Sequence, residues 1–458
     1  VTRPAGVAPC AIGFGRAPDE LPSPDEVGHK ARGLALLWQA GIDLPPAFVF
    51  GTALFAQWRA NRDAALSRLR EPLTDAVATL EQVSGRRLGG QTSPLVLSVR
   101  SGAAVSMPGI LSTILNVGVT PDTVGGLAAE SDDDRFGADC LARFAFDFAS
   151  TSLGVHPFYL DEELADELRQ RGLRERAELD CDGLMALSRR LVGLATQRSG
   201  AAWPDDPFEA LLASIDGVLR SWDSDRAVRY RKRQQIGDIG TAVIVQAMVF
   251  GNRNGNSGAG VALSRDPNSG ARASRIEFVP RSQGEDLAGG RARPSSSPGA
   301  AVASQLHVLG ERVERRLGAP AEIEFTVDDG RVWVLQARRA VLSAPAEVSA
   351  LVDLVDRGVL SEVEALARLA PETLSRLVES SVDSASNAAV ARGLGASPGA
   401  ARGTVVLDAD AAIAVSAAGG RPILLTNDLR TDDIRAMGVI AGFVAGRGGL
   451  TSHAAVLT

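Results

Sequence analysis

The sequence is poor in lysine. All but two of its 48 basic residues are arginine, and the exceptions are Lys30 and Lys232. Such a bias reflects genome composition, so a lysine that persists against it invites a chemical question. Cysteine is scarce too. Cys10, Cys140 and Cys181 are scattered and odd in number, which excludes a disulfide framework and a cysteine-rich metal knuckle. A reducing cytoplasm is the simple reading. No uninterrupted apolar stretch reaches the roughly 18 residues of a membrane span. The N-terminal stretch VTRPAGVAPCAIGFGRAPDELPSP lacks the basic region and apolar core of a secretory signal. A net charge of −7 does not favour nucleic acid as a partner. There is no GKS or GKT of a Walker A loop, no GxSxG, no paired-His zinc motif and no solenoid repeat.

What is present is ordinary globular composition, 45% hydrophobic and 22% charged, over 458 residues. At roughly 150 residues per domain this gives about three domains. VGHKARGLALLWQAGIDLPPAFVF (27–50) predicts a helix, a Gly41 stop, a Pro45-Pro46 turn and a short strand. Helices are expected near 52–69 and 72–84, then a strand over PLVLSVRSG (94–102). Residues 121–236 read as a helical insertion, because Phe144, Phe148, Leu160, Leu164, Leu168 and Leu184 recur at helical spacing. A strand at 241–249 precedes a glycine-rich hairpin at 251–267. PSSSPG (294–299) is a loop and 301–317 a helix. IEFTV and RVWVLQ flank an Asp329-Gly330 turn, a strong hairpin signal. Short acidic helices (345–378) look like a linker. From 394 strand–helix alternation argues a small α/β domain.

Several segments can carry chemistry. In GRGGLTSHAAV, Gly448 and Gly449 allow close backbone approach, Thr451 or Ser452 can cap a helix, and His453 falls in its first turn. An imidazole there can accept a phosphoryl group; a histidine in an ordinary capped turn is the competing reading. Glu324 and Gln336 lie toward the same end of neighbouring strands. Together they can hold Mg²⁺ bridged to nucleotide phosphates, with Arg338 neutralising transferring charge. A polar sheet edge is the alternative. In QGEDLAGGRARP, Glu285 and Asp286 can serve a ribose or a metal, and Arg291 and Arg293 a phosphate; a charged loop is the alternative. Arg100, Ser101 and the Gly102 loop can clamp phosphate. Lys30, near a helix start, suits a phosphate as a point charge. The 251–260 loop can close over triphosphate. His29, His156 and His307 have no metal-like spacing and read as structural or surface residues.

Taken together, these segments resemble pyruvate, phosphate dikinases. The opening helix, LVLSVRSGAAVSMPGILSTILNVG, VLRSWDSDRAVRYR, GTAVIVQAMVFGN, SGAGVALSRDP, EFVPRSQGEDLAGGRARP, IEFTVDDGRVWVLQARR, LVDLVDRGVLSEVEALARLAPETL, LGASPGAARG and GGLTSHAAV run in the family's order along nearly the whole chain. The resemblance implies an α/β and α+β multidomain protein. An ATP-grasp nucleotide-binding domain (1–342, helical insertion about 121–236) is followed by a helical linker (343–390) and an incomplete swivelling phosphohistidine domain (391–458). It implies that Lys30, Arg100, Glu324, Gln336 and Arg338 contact ATP or its Mg²⁺, with Ser101, Glu285 and Asp286 nearby. It implies that His453 accepts the β-phosphoryl of ATP while phosphate takes the γ-phosphoryl, giving AMP and pyrophosphate. Thr451 matches the position whose phosphorylation switches off plant members.

The sequence also departs from the family. VGHKA replaces a GGKG-like turn, Ser112 and Ala104 replace an Asp and an Arg, and Glu322 stands where an Asp is usual. The family's C-terminal (β/α)₈ barrel, which binds pyruvate, has no counterpart, and the chain ends a few residues past His453. The expectation is a fragment, a chain completed by a partner, or a decayed gene product; Val1 suggests a GTG start. Pyruvate would engage only through a missing or separate domain. A homodimer stays open. The competing functions are phosphotransfer to a different acceptor and a non-catalytic nucleotide-binding remnant.

Overall fold

The computed structural model describes residues 9–105, 107, 110–131, 133–284, 297–377, 391, 393, 395, 400–427 and 431–446. Two compact units divide the chain, Val1–Asn256 and Ser257–Thr458. Helices and several separate sheets are mixed in both, which makes this an α/β multidomain protein. No helix among the described residues is long and apolar enough to cross a membrane.

The first unit is built on a five-stranded antiparallel sheet. Its order is β1 (Cys10–Ile12), β2 (Ala47–Phe50), β7 (Ala242–Ala247), β5 (Leu97–Gly102) and β6 (Thr113–Val117). A two-residue ladder, β3 (Arg87–Leu88) with β4 (Pro94–Leu95), lies apart from it. Three helices, α1 (Pro24–Gln39), α2 (Thr52–Ala60) and α3 (Arg62–Ser84), come early in the chain. Between β6 and β7 run α4 (Val124–Ala129), α5 (Arg135–Thr151), α6 (Pro157–Arg171), α7 (Cys181–Ser199), α8 (Pro207–Arg220) and α9 (Asp225–Arg233), the helical insertion the sequence predicts. Strand alternation divides the sheet into two faces. Leu97, Val99, Val243 and Val245 pack into a core with Phe55 and Trp58 of α2, Leu69 and Leu73 of α3, and Ile215 of α8. The intervening residues, with Ile244 opposite Arg100, lie on the face that α1 covers. Each fully buried Phe or Leu here contributes about 1.5–3 kcal/mol.

Two early expectations are corrected. The helices expected at 52–69 and 72–84 break at Asn61, not before Pro72. Asn61 caps α3 by accepting a hydrogen bond from the Ala64 N–H. Pro72 lies inside α3, where the stripe of Leu69, Leu73, Ala76, Val77 and Leu80 is buried on both sides of it. That burial outweighs the roughly 3 kcal/mol that proline costs in a helix interior. The glycine-rich stretch 251–267 is not one hairpin. Residues 258–263 form β8, whose hairpin partner is β9 (Arg275–Pro280), and the chain before it crosses from one sheet to another. The crossing segment bonds to α5 and to the turn that precedes it. The Asn252 amide donates to Asp139 at 2.7 Å, and the Ser131 hydroxyl donates to the Arg253 carbonyl at 2.7 Å.

In the second unit β11 (Arg331–Arg339), β10 (Ala321–Asp328), β8 (Gly258–Leu263) and β9 form an antiparallel sheet in that order. Helix α10 (Ala300–Leu317) buries Val302, Leu306 and Val313, and the sheet buries Ile323, Phe325, Val327 and Val334. Buried Arg265, 1% exposed, bonds both oxygens of Glu314 at 2.8 and 3.0 Å and reaches Asp353 of α11 (Ala344–Asp356). Helices α12 (Glu362–Arg368) and α13 (Pro371–Leu377) follow, where short acidic helices are expected. Last come β12 (Thr404–Val406), α14 (Ala409–Ala417), β13 (Pro422–Thr426), a tight helical turn at Thr431–Ala436 and β14 (Gly442–Ala445). The three strands pair in parallel, as the alternation predicts.

Candidate functional site

Two groups of the predicted residues are each brought together, one in each unit. The first forms where α1 meets the end of β5. Ser23 and Glu26 form a capping box with Pro24 in the first turn, so α1 starts firmly. It then breaks at Gly28, with φ 81° and ψ 161°. A Cβ there would sit 2.0 Å from the Gly102 carbonyl oxygen, so only glycine allows the approach. The His29 N–H donates to the Ala103 carbonyl at 2.7 Å, and the helix resumes. This docking sets Lys30 over Gly102, on the sheet face that also carries Arg100. Ser101, 1% exposed, lies on the opposite face, and its hydroxyl has no hydrogen-bond partner among the described residues. The strand pleat therefore parts Ser101 from Arg100.

The second group lies on the sheet face away from α10. Asp329 and Gly330 adopt φ 48° and 80°, the left-handed pair of a tight hairpin turn. Counting strictly from that turn would set Leu335 against Glu324. A bulge beside Glu324 and Phe325 shifts the register, so Glu324 faces Gln336 and Glu322 faces Arg338. Val332 and Val334 stay on the core face while Gln336 and Arg338 turn to the polar one. Cross-strand rows extend the group. Glu277 of β9 and Glu324 both pair with Val261 of β8, from opposite sides. Glu277 was not singled out from sequence; its signal is its place between Ile276 and Phe278 in an alternating strand.

One oxygen of Glu322 accepts from Arg338 Nε at 3.0 Å and from Nη2 at 2.5 Å. Burial, reinforced by the charges of Glu324 and Glu277, pushes the Glu322 pKa above the usual carboxylate range in spite of Arg338. Burial works against the Arg338 charge, but Glu322 and Glu324 outweigh it and raise its pKa. The face therefore concentrates carboxylate oxygens, an amide oxygen and the guanidinium of Arg338, with Arg275 of β9 in the same cross-strand row.

Among the described residues no three His, Cys, Asp or Glu side chains converge as a metal cage. Glu324 and Gln336, opposed in register, instead offer a carboxylate and an amide, a donor set that suits Mg²⁺, which takes one or two protein carboxylates and completes its shell with water and phosphate. Glu285, Asp286, Arg291, Arg293, Thr451 and His453 lie outside the described residues. His156 has a local task, its ring accepting from the Phe158 N–H at the start of α6.

A family model described as "Pyruvate phosphate dikinase, AMP/ATP-binding domain" matches residues 65–301, more than half of the chain. The chain belongs to this pyruvate, phosphate dikinase family. Residues 419–458 match a second model, "PEP-utilising enzyme, mobile domain". Among similar pyruvate, phosphate dikinases, the chloroplastic protein of Mesembryanthemum crystallinum is 34% identical over 457 residues, 97% of this chain and 48% of the relative. That of Entamoeba histolytica is 34% identical over 444 residues, 94% of this chain and 50% of the relative. That of Rhizobium meliloti is 33% identical over 465 residues, 97% of this chain and 52% of the relative. The chain thus spans about half the length of the curated dikinases it matches.

Proposed function

We propose that this chain carries the ATP and phosphate half-reaction of a pyruvate, phosphate dikinase. The observation that supports this most is the polar face of the second sheet, where Glu324, Gln336 and Arg338 are gathered by the hairpin and its bulge. In this reading residues 1–342 are an ATP-grasp domain, 343–390 a linker and 391–458 a swivelling phosphohistidine domain. Lys30 and Arg100 supply cationic contacts to the nucleotide phosphates, with Glu285 and Asp286 nearby. Glu324 and Gln336 would hold Mg²⁺, whose charge would neutralise the phosphate chain. Arg338 donates hydrogen bonds to the oxygens that gain negative charge during transfer. His453 attacks the β-phosphorus. The bond from that phosphorus to the α,β-bridging oxygen breaks and AMP leaves. Inorganic phosphate then attacks the γ-phosphorus, the bond from that phosphorus to the β,γ-bridging oxygen breaks, pyrophosphate leaves, and the β-phosphoryl stays on His453. Transfer from His453 to pyruvate lies outside this half-reaction.

The test is transfer of label from ATP marked at the β-phosphorus, with Mg²⁺ and phosphate, to the wild-type chain and to His453→Ala. Acid-labile, base-stable label on the wild type alone, with AMP released, is the expected result. A folded chain that binds ATP and takes no label would refute stand-alone catalysis by this chain.

A further inference from the structure

Glu322 has no part in the half-reaction described above, yet it makes a close polar contact with Arg338 on the site's face. It stands directly across the hairpin from Arg338, and a single oxygen accepts from both Nε and Nη2. Residue Glu322 is 9% exposed, while the Arg338 side chain is 27% exposed. The carboxylate is thus nearly enclosed and the guanidinium is reachable. Among the described residues Arg338 Nη1 makes no hydrogen bond, so the grip leaves a donor edge available.

We propose that Glu322 is a positioning residue, whose carboxylate fixes the Arg338 guanidinium on the polar face so that its remaining donors meet a phosphoryl oxygen of the nucleotide already oriented. An arginine side chain surrenders much rotamer freedom when it is fixed. Glu322 imposes that loss before the ligand arrives, so less is lost on binding. A guanidinium held along one edge by a carboxylate keeps its fork geometry for an anion on the other edge. The contact pairs residues at matched register on adjacent strands, so the backbone ladder itself sets the distance between them. The proposal rests on this face being the nucleotide site.

Simple electrostatics predicts the opposite sign for the obvious variant. Removing a carboxylate beside Glu324 and Glu277 lowers the local negative charge, which should tighten binding of an anionic nucleotide. Positioning predicts weaker binding. The experiment is calorimetric titration of ATP, with and without Mg²⁺, into the wild-type chain, Glu322→Ala, Glu322→Gln, Arg338→Ala and the double variant Glu322→Ala/Arg338→Ala. Glu322→Ala is expected to weaken ATP binding about tenfold, equally with and without Mg²⁺, and to have no further effect once Arg338 is alanine. Glu322→Gln keeps an acceptor oxygen in the same shape, so its binding should fall between the two, and it stands in if the alanine variant does not fold.

Unchanged or tighter binding overturns the proposal. So does weakening that persists in the Arg338→Ala background, or that is seen only with Mg²⁺, which marks Glu322 as a metal ligand. Glutamine binding as weakly as alanine also overturns it. A folded wild-type chain that binds no ATP overturns the nucleotide reading of the face, and this proposal with it.

Discussion

Replacing Gly28 by alanine tests the joint that holds Lys30 beside β5. The backbone there, φ 81° and ψ 161°, belongs to a region populated essentially by glycine. Forcing an L side chain into it costs about 1–3 kcal/mol. The new Cβ would also lie 2.0 Å from the Gly102 oxygen and 2.5 Å from its carbonyl carbon. Both are backbone atoms of an inner strand, so no side chain can swing aside. Overpacking of this kind costs about 1–3 kcal/mol more, so about 2–6 kcal/mol is expected in total. Gly85→Ala is the control. Gly85 has φ 68° but nothing within 4 Å of its position for a Cβ. It should cost only the left-handed strain, about 1–2 kcal/mol. Urea unfolding followed by tryptophan fluorescence reads the difference cleanly, because Trp38, Trp58, Trp203 and Trp222 lie in the first unit and only Trp333 in the second. The strain is relieved by drawing α1 away from β5, which breaks the His29–Ala103 hydrogen bond and displaces Lys30. ATP binding should therefore weaken in Gly28→Ala and stay unchanged in Gly85→Ala. Equal destabilisation by the two substitutions would refute the reasoning.

Two further predictions concern buried charge and pH. Asp139, 1% exposed, is bonded by Arg143 at 2.8 Å, Arg176 at 3.1 Å and Asn252 at 2.7 Å, with Arg135 at 3.9 Å. Burial alone would raise its pKa, yet the three arginines hold it well below the usual carboxylate range. Asp139→Ala leaves those arginines facing one another and should cost about 3–5 kcal/mol, read as a fall in the urea midpoint; a change below 1 kcal/mol, on the scale of an exposed ion pair, would sink this account. Asp266 has its pKa lowered to about 2, first by the Ser269 N–H and then by Arg275. A depressed folded-state pKa means that its stabilisation is full above the unfolded value of 3.8 and is lost as the pH falls through about 2. Asp266→Asn should thus lower stability at pH 7 and lose less than the wild type between pH 4 and 2, as followed by circular dichroism.

The sequence alone determined the features that depend on neighbours along the chain. The helical run after Val27 with its Gly41 stop marks α1, and Asp329-Gly330 marks the hairpin. The apolar periodicity between 121 and 236 marks the helical insertion, and the alternation after 394 marks the parallel strands. Caps, turns and periods follow from backbone sterics and side-chain direction over a few residues, so they are legible without a fold. The residue types at Lys30, Arg100, Glu324, Gln336 and Arg338 were legible in the same way.

Only the tertiary structure decided what meets what. Pro72 stays within α3 because the helix is buried on both sides of it. Residues 251–257 cross between sheets because Asn252 is bonded to Asp139, more than a hundred positions away. Arg265 is joined to Glu314 and Asp353 by contacts with no local spacing to reveal them. The bulge at Leu335 sets Gln336 and Arg338 opposite Glu324 and Glu322, where an unbroken two-residue repeat would have sent them to the core. Strand register is fixed by which face must be buried against α10, and a one-residue slip reverses every side chain, so local sequence could nominate these residues but not place them on one surface.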